Sequence, residues 1–308
     1  MDRLEAMSIL LTVVETGSLS AAGRKLNVPL ATVSRKVSEL EAHLGTRLFN
    51  RSSRQFTPTD AGLDYIASCR RILDDVEEAE RVASGEFRTP KGDLIVTAPI
   101  VFGRLHLLPV AIEFLRAYPE IDLKVTFADK MVDLLEEHVD LALRIGALPD
   151  SGLIAVKLGT IRHIVCASPA YLAEHGVPRD PAELQTHVCV AFQALSSAGL
   201  WKFKTATIAP RARLVVNTAE AALDAAIAGV GVTRVLSYQA ETAIRSGALA
   251  PVLEAFEPPP LPVSLVHSGE RLLPLKLRAF LDFATPQLKA RVLRAALRPA
   301  ADESRSAP

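Results

Sequence analysis

A cluster of polar residues at the start of a predicted helix is the first candidate site in the chain. Thr32, Ser34, Arg35 and Lys36 crowd the beginning of the segment LNVPLATVSRKVSELEAHLG (residues 26–45), and acidic side chains follow only at positions 39 and 41. Arginine can donate two parallel hydrogen bonds to guanine, and threonine can contact a thymine methyl group. Serine and lysine suit phosphate groups, which the positive end of a helix dipole also attracts. These residue types at this spacing predict contact with a nucleic acid.

Two short helices are needed to position this cluster. Apolar residues recur at helical spacing along the second helix and predict one buried stripe: Val33, Val37, Leu40 and Leu44. Ala31 and Ser38 lie on the opposite face, with the polar cluster. Ser18 is a good N-cap for a preceding helix over residues 19–26, and Pro29 can open the second helix after a short turn. This arrangement is typical of a helix-turn-helix.

Basic residues continue beyond the second helix. The segment RLFNRSSRQFTPT predicts a hairpin-like wing that carries Arg47, Arg51 and Arg54 and contacts phosphate or the adjacent minor groove. Residues 20–54 contain seven basic and two acidic residues, a local charge of +5, although the whole chain has a net charge of zero. Most charge clusters are merely solvated, but two helices and a basic wing in series favour binding. The predicted contacts are Ala31, Thr32, Ser34, Arg35, Lys36, Ser38, Arg51 and Arg54.

A long helix follows over residues 58–84. The motif TPTD predicts Thr57 as its N-cap and Pro58 as its first helical residue. Its apolar residues are spaced by three and four and predict a seam for a partner helix: Ile66, Cys69, Leu73 and Val76. The segment SGEFRTPKGD (residues 84–93) then predicts a hinge.

The rest of the chain alternates apolar strands with helices and predicts an α/β domain with two sheets of similar size. Small-molecule ligands of such domains bind at the carboxyl ends of strands. The predicted ligand contacts are Thr97, Ala98, Pro99, Phe102, Asp129, Arg144, Ile145, Gly146, Gln193, Asn217, Thr218 and Thr233.

Structural roles are the alternatives for the polar members of this set. Arg144 could pair with a carboxylate such as Asp129 or Asp140, and Thr97 could cap the next helix. Thr233 and its neighbour Arg234 could instead face solvent or the other lobe.

The sequence contains no recognisable catalytic or metal-binding motif. His106, His163, His187 and His267 lack HExxH or similar spacing, and no Ser/His/Asp or Cys/His arrangement emerges, so no cofactor or metal is expected. Cys166 and Cys189 lie in apolar, strand-like segments that are typical of inert thiols. A cysteine-based redox sensor remains an alternative.

Length and composition predict a multidomain protein with packed cores. The 308 residues are 49% hydrophobic and 23% charged. No apolar run approaches the length of a membrane helix, and the N-terminus lacks a cleavage site, so we expect a cytoplasmic protein without a membrane partner. The predicted domains are residues 1–58, a linker over 59–89 and a ligand-binding domain over 90–300. Its first lobe covers about 90–163 and 268–300, and its second lobe about 164–267.

Motifs along nearly the whole chain resemble the LysR-type transcriptional regulators. VSRKVSELEAHLG and FNRSSRQFTPTDAG are similar to the family's winged helix-turn-helix signature. TAPIVFGRLHLLPV, DLALRIG, CASPAYLAEHG and AGVGVTRVLSYQ resemble its effector domain. Many members carry a capping serine where this chain has Pro29, so operator sequence does not transfer.

The resemblance implies both an architecture and a function. The implied fold is α/β, with an N-terminal winged helix-turn-helix, a long linker helix and a two-lobed, periplasmic-binding-protein-like effector domain. It also implies a homodimer formed through the linker helix, which assembles into a homotetramer. Its partners would be a double-stranded DNA operator and a small-molecule effector of the aromatic, quinone or carboxylic-acid classes. The alternative is an α/β small-molecule-binding protein or enzyme with an accessory helical domain, which has no need of an arginine-rich wing.

Overall fold

A computed structural model of the chain describes residues 2–52, 55–84, 89–129, 134, 137, 139–148, 152–193, 199–269 and 273–296. The chain divides into two compact units, Met1–Gly92 and Asp93–Pro308. The first unit is mainly helical, whereas the second combines two five-stranded sheets with helices.

Three helices open the first unit: α1 (Arg3–Thr16), α2 (Leu19–Leu26) and α3 (Leu30–Leu44). Side-chain oxygens cap the first two. Asp2 accepts hydrogen bonds from the backbone N–H groups of Leu4 and Glu5, and Ser18 accepts one from Ala21. The helix predicted over residues 19–26, with Ser18 as its cap, is therefore confirmed.

A tight turn joins α2 to α3. Asn27 has a left-handed backbone with φ 55°, and its N–H donates to the carbonyl of Arg24 at 3.2 Å. A Cβ atom at Gly23 would lie 2.9 Å from the carbonyl oxygen of Val28, so only glycine lets the helix approach the turn this closely. Pro29 precedes α3 and gives it no side-chain cap. The predicted helix-turn-helix is present.

The apolar face of α3 packs on α1, and three of its predicted positions are buried there: Val33, Val37 and Leu40. Leu44 is 36% exposed, so the predicted stripe is wrong at its last position. The helix ends at this residue, and Gly45 turns the chain away with a left-handed φ of 64°.

A two-stranded wing follows α3, formed by β1 (Phe49–Ser52) and β2 (Gln55–Pro58). The strands are antiparallel, with Phe49 opposite Pro58 and Asn50 opposite Thr57. This pairing places Thr57 and Pro58 in the wing, so the predicted cap of the long helix is wrong. The hydroxyl of Thr59 caps the helix instead, accepting from the N–H of Gly62 at 3.0 Å.

The long helix α4 (Asp60–Ser84) turns its seam toward the first unit's own core. Ile66 and Cys69 are buried against the same cluster as α1, and Leu73 packs on that cluster. The predicted seam is therefore present at these positions, and the helix that it faces is α1 of the same chain. Two large apolar residues of α4 are exposed, Leu63 at 55% and Ile72 at 39%.

The second unit contains strands β3 (Gly92–Ala98), β4 (Ile121–Phe127), β5 (Leu141–Ile145), β6 (Leu153–Ile161), β7 (His163–Ala167), β8 (Cys189–Phe192), β9 (Trp201–Lys202), β10 (Thr207–Ile208), β11 (Ala212–Val216), β12 (Val232–Leu236), β13 (Ala250–Val252) and β14 (Leu261–Ser268). Its helices are α5 (Ile100–Phe102), α6 (Leu108–Ala117), α7 (Pro169–His175), α8 (Ala219–Ile227), α9 (Ser237–Arg245) and α10 (Leu275–Ala296), and a π-helical turn (Gly103–Leu107) joins α5 to α6. Most of residues 131–138 lie outside the described part of the chain.

Two sheets define the two lobes. The first has the order β4-β3-β5-β14-β6, and the second has the order β11-β8-β12-β7-β13. β14 is antiparallel to both β5 and β6, so it belongs to the first sheet. The chain therefore returns to the first lobe before residue 261, earlier than the predicted boundary near residue 267. The sequence pattern could not reveal this return, because an apolar strand suits either sheet.

One core cluster runs through both lobes. It includes Val96 and Phe114 from the first lobe, Ile164 and Val235 from the second, and Phe280 of α10. Among the described residues, no single helix is long and apolar enough to span a membrane, and the bent pair α1–α2 passes that test only jointly.

Candidate nucleic-acid interface and effector-binding site

The outer face of α3 carries the predicted nucleic-acid contacts. Ala31 is exposed, and the side chain of Arg35 is 61% exposed. Thr32, Ser34 and Ser38 are half-buried beside them. Because the opposite face of α3 is buried in the core, this face is the one available to a groove of DNA.

The two neighbouring basic residues of α3, Arg35 and Lys36, form ion pairs with different partners. Arg35 Nη1 lies 2.7 Å from the carboxylate of Glu39, one turn further along the same helix, and both side chains are well exposed. Lys36 Nζ pairs with Glu5 on α1, and its side chain is only 13% exposed. Arg35 is thus presented outward, whereas Lys36 joins α3 to α1.

A carboxylate anchors the start of the wing. Glu41 Oε1 accepts hydrogen bonds from the backbone N–H groups of Leu48 at 2.9 Å and Phe49 at 3.3 Å. Arg51 lies on β1, although its side chain is outside the described part of the structure, and Arg54 lies outside the described residues.

A concave surface lies at the end of α3 and along the loop that follows it. It is lined by Ser38, Glu41, Ala42, Gly45, Thr46 and Arg47. Arg47 is exposed and adds positive charge to this surface. Sequence analysis placed Arg47 on the wing, whereas the structure places it in the loop just before β1.

In the first lobe, two predicted ligand contacts have structural partners. Thr97 is only 1% exposed, and its hydroxyl donates to the carbonyl of Thr126 at 3.1 Å. Asp129 is exposed and accepts a hydrogen bond from the N–H of Ile100 at 3.1 Å, so it caps α5. The cap that sequence analysis offered as an alternative role for Thr97 therefore belongs to Asp129.

The other first-lobe residues lie at the ends of two parallel strands. β3 and β5 are parallel, so Ala98 and Ile145 end at the same edge of the sheet. Ala98 and Phe102 are buried in the core, whereas the remaining members are half-buried: Pro99, Arg144, Ile145 and Gly146. Burial lowers the pKa of the Arg144 guanidinium, and the carboxylate of Glu137 partly offsets this effect.

The second lobe brings a similar set to one edge. β11 and β12 are both parallel to β8, so Gln193, Asn217 and Thr218 lie near a common edge, where Gln193 and Asn217 are exposed. Thr218 caps α8 by accepting from the N–H of Ala221 at 3.3 Å. Thr233 is buried, and its hydroxyl donates to a carbonyl of β8 at 3.0 Å. Because the Thr233 hydroxyl already donates its proton, in this arrangement it can only accept a hydrogen bond from a ligand.

Two family profiles match this architecture along most of the chain. The profile of the bacterial regulatory helix-turn-helix protein, lysR family, matches residues 4–63, and the LysR substrate binding domain matches residues 87–289. The chain belongs to the LysR-type family of transcriptional regulators. It is a DNA-binding regulator with an effector-binding domain and not an enzyme. A DNA-binding regulator of this family acts in the cytoplasm.

Several relatives are similar over almost their whole length. The transcriptional regulator CrgA of Neisseria meningitidis serogroup B is 35% identical over 291 residues, which cover 92% of this chain and 96% of CrgA. A transcriptional regulator of Haemophilus influenzae is 34% identical over 281 residues, 90% of this chain and 98% of its own. The solved structure of CrgA matches with a TM-score of 0.59 at 33% identity, and a full-length AphB variant with 0.61 at 27%, each over 92% of this chain and 98% of the other.

The cysteines of this LysR-type regulator are poorly placed for redox sensing. On β12, Thr233 pairs with Cys166 and the preceding Val232 pairs with Cys189, so the two thiols point to opposite faces of the sheet. Both are buried, and burial raises the pKa of each thiol to about 12. Cys166 and Cys189 therefore cannot form a disulfide with each other in this fold, which removes the support for the redox alternative.

Contacts between the lobes join Phe102, one of the predicted ligand contacts, to residues that were not predicted. Tyr238 of α9 packs edge-on against Phe102, with ring centroids 5.3 Å apart, and against His106 at 5.7 Å. Arg104 lies 3.4 Å from Glu220 of α8. Arg104 and His106 lie in the π-helical turn. The sequence could not predict their contacts, because the pattern of apolar residues does not reveal such a turn.

Proposed function

We propose that this regulator inserts α3 into the major groove of an operator and reads it through Ala31, Thr32, Arg35 and Ser38. The exposed guanidinium of Arg35, on a helix whose other face is buried, carries this proposal. Its partner Glu39 is also exposed, so exchanging that carboxylate for a guanine edge costs only about 0.3–0.5 kcal/mol. The uncapped start of α3 favours a phosphate beside Ser34.

The proposed assembly is a homodimer formed through α4, which assembles into a tetramer. With 25 residues, α4 is roughly 37 Å long, enough to hold two heads apart. Leu63 is apolar and exposed on this helix, as expected for a residue that a second chain covers. A two-fold dimer predicts half-sites separated by about one helical turn of DNA or a multiple of it. Arg51 and Arg54 of the wing would contact the flanking phosphates.

The second unit would bind a small effector near the strand ends of its two lobes. Exposed Gln193 and Asn217 in the second lobe, with half-buried Arg144 and Gly146 in the first, are the proposed ligand contacts. An effector that binds one arrangement of the lobes more tightly would shift the regulator toward it and so change operator binding or bending. The protein would act on the nucleoid.

A gel-shift titration tests the DNA-binding part of the proposal. The probe is the DNA upstream of the protein's own gene, with an unrelated duplex as competitor. We expect a salt-sensitive, sequence-preferring complex that Arg35→Ala weakens by about tenfold or more. Lys124→Ala removes a charge from an exposed strand position of the second unit and should leave the complex unchanged. Equal affinity of wild type and Arg35→Ala would contradict the recognition-helix assignment, and no complex at all would favour the α/β binding-protein alternative.

A further inference from the structure

One arginine lies within a strand that is otherwise apolar or neutral. All five residues of β12 are buried, and Arg234 at its centre is only 5% exposed. The guanidinium lies 5.9 Å from the centre of the Phe203 ring. Burial lowers its pKa to about 10, so Arg234 still carries its charge at neutral pH.

The charge of Arg234 lacks a counter-ion within the described part of the chain. Among the residues that the structure describes, no carboxylate pairs with the guanidinium and no carbonyl accepts a hydrogen bond from it. A buried charge is normally paired, because removing it from water has a large free-energy cost that the face of an aromatic ring offsets only in part. A buried guanidinium with no carboxylate partner among the described residues is therefore a candidate anion-binding group.

A second polar group without a partner lies beside Arg234. On β7, His163 pairs with Leu236 and Val165 pairs with Arg234, so His163 and Arg234 are diagonal neighbours on one face of the sheet. His163 Nδ1 is buried and has no hydrogen-bond partner within the described structure. Burial, and secondarily the charge of Arg234, lowers the pKa of His163 to about 4. The neutral ring can carry its proton on Nδ1 and donate it.

This pair lies where the chain crosses between the lobes. Arg162 occupies the connection from β6 to β7, and Glu257 lies on the return from β13 to β14. Arg162 Nη1 binds both carboxylate oxygens of Glu257, at 2.8 and 2.7 Å, and so joins the two connections. Arg162 Nε is buried without a partner. A ligand at Arg234 would thus bind next to the two segments on which any movement of the lobes depends.

We propose that Arg234 and His163 bind the carboxylate of an organic acid and that the effector belongs to this class. The arginine would supply the charge-assisted hydrogen bonds and His163 a further donor, while Phe203 offers an apolar surface to the body of the acid. The role of the acid as effector rests on the proposed function, whereas the binding site itself does not.

The role of Arg234 can be tested first by a stability measurement without any ligand. In Arg234→Leu, a buried charge without a carboxylate partner among the described residues becomes a shorter apolar side chain, so we expect the melting temperature of the full chain to stay constant or rise. An arginine that only stabilises the fold through Phe203 would give a clear loss of melting temperature on the same substitution. That outcome would overturn the proposal.

Ligand binding is then followed through the fluorescence of Trp201, the single tryptophan, which is buried in the same cluster as Phe203. The probes are acetate, cyclohexanecarboxylate and a short series of larger carboxylic acids, each with its neutral amide and with sulfate as a simple oxyanion. We expect at least one acid to bind roughly tenfold or more tightly than its amide, and Arg234→Leu and His163→Gln to lose that preference.

Three results would overturn the proposal. These are the absence of any acid-dependent change at millimolar concentrations, acid binding that Arg234→Leu leaves unchanged, and sulfate binding as tight as that of every acid. A gel shift with the same preparations separates the two claims. If DNA binding persists but no acid binds, the carboxylate site fails alone, and if an acid binds but DNA does not, the proposed function fails alone.

Discussion

Arg35 and Lys36 are adjacent basic residues at the start of α3, and the structure predicts opposite outcomes when each is replaced by alanine. Arg35 is exposed and pairs only with Glu39, its neighbour on the same helix. Lys36 is largely covered and pairs with Glu5 of α1. We expect Arg35→Ala to reduce DNA affinity with little loss of stability, and Lys36→Ala to reduce stability with little loss of DNA affinity.

The magnitudes follow from exposure and partners. Loss of a side chain that contacts a base costs about 1–3 kcal/mol of binding free energy. Loss of the exposed Arg35–Glu39 pair costs only about 0.3–0.5 kcal/mol of stability. For Lys36, the pair with half-exposed Glu5 is worth about 0.5–1 kcal/mol, and the covered methylene stem adds to it, so we expect roughly 1–2 kcal/mol of unfolding free energy to be lost.

Two measurements on the same preparations check this prediction. Fluorescence anisotropy with the upstream DNA and with an unrelated duplex, at several salt concentrations, gives affinity and the salt slope. Urea unfolding gives the stability of each variant. A phosphate contact by Lys36 would show as a fall of about 0.9 in the salt slope of Lys36→Ala. That fall, together with unchanged unfolding, would refute the structural assignment of Lys36, and Lys124→Ala provides the charge-matched control.

Two further predictions concern stability. In Gly62→Ala, the new Cβ would lie 2.1 Å from the carbonyl oxygen of Leu48, so we expect a loss of about 1–3 kcal/mol in urea unfolding, whereas Gly152→Ala, with nothing within 4 Å, should change little; equal effects would contradict the close packing. Burial lowers the pKa values of His106 and His163 to about 4, so between about pH 6.5 and 4 the unfolded chain binds protons that the folded chain refuses. Stability should therefore fall as the pH falls, by roughly half of the maximal 1.4 kcal/mol per pH unit for each partly exposed ring. Thermal unfolding from pH 7 to 4.5 measures this loss, and a double replacement by glutamine that leaves it unchanged would contradict the assignment.

The sequence predicted the helix-turn-helix well because its signals are local. Ser18 caps the helix that follows it, and Pro29 fixes the start of the next, so neighbours in sequence decide both elements. The errors arose where a distant pairing decided the outcome. Thr57 had the properties of a helix cap, but pairing with Asn50 drew it into the wing and left Thr59 as the cap.

The long helix shows the same limit. The spacing of Ile66 and Cys69 predicts that these residues are buried together, and they are. Periodicity identifies a buried face but not the element that covers it, so the sequence could not show that the covering helix is α1 of the same chain. Only the structure shows that Leu63 and Ile72 are exposed and do not belong to the seam.

The sequence could predict which strand ends form the effector-binding region. It could not predict which of their side chains are able to donate a hydrogen bond to a ligand. Thr97 and Thr233 lie at the edges that the strand order indicated, yet both hydroxyls donate to backbone carbonyls of neighbouring strands. The sequence could not predict that Arg234 is buried, because its burial depends on the β9–β10 hairpin that carries Phe203. The sequence gives the residue types, whereas the fold determines which hydrogen-bond partners their polar groups have.

Basic residues of one chemical type thus acquire different roles from their burial and from the position of their anions. Arg35 has an exposed partner, Glu39, that DNA can replace at small cost, so it suits recognition. Lys36 is covered and held by Glu5 on another helix, so releasing it would weaken the fold. Arg234 is more deeply buried than either and has no carboxylate partner among the described residues, so an anion from outside the chain would gain most there. Arg35 is therefore suited to DNA, and Arg234 is suited to the carboxylate of an acidic ligand.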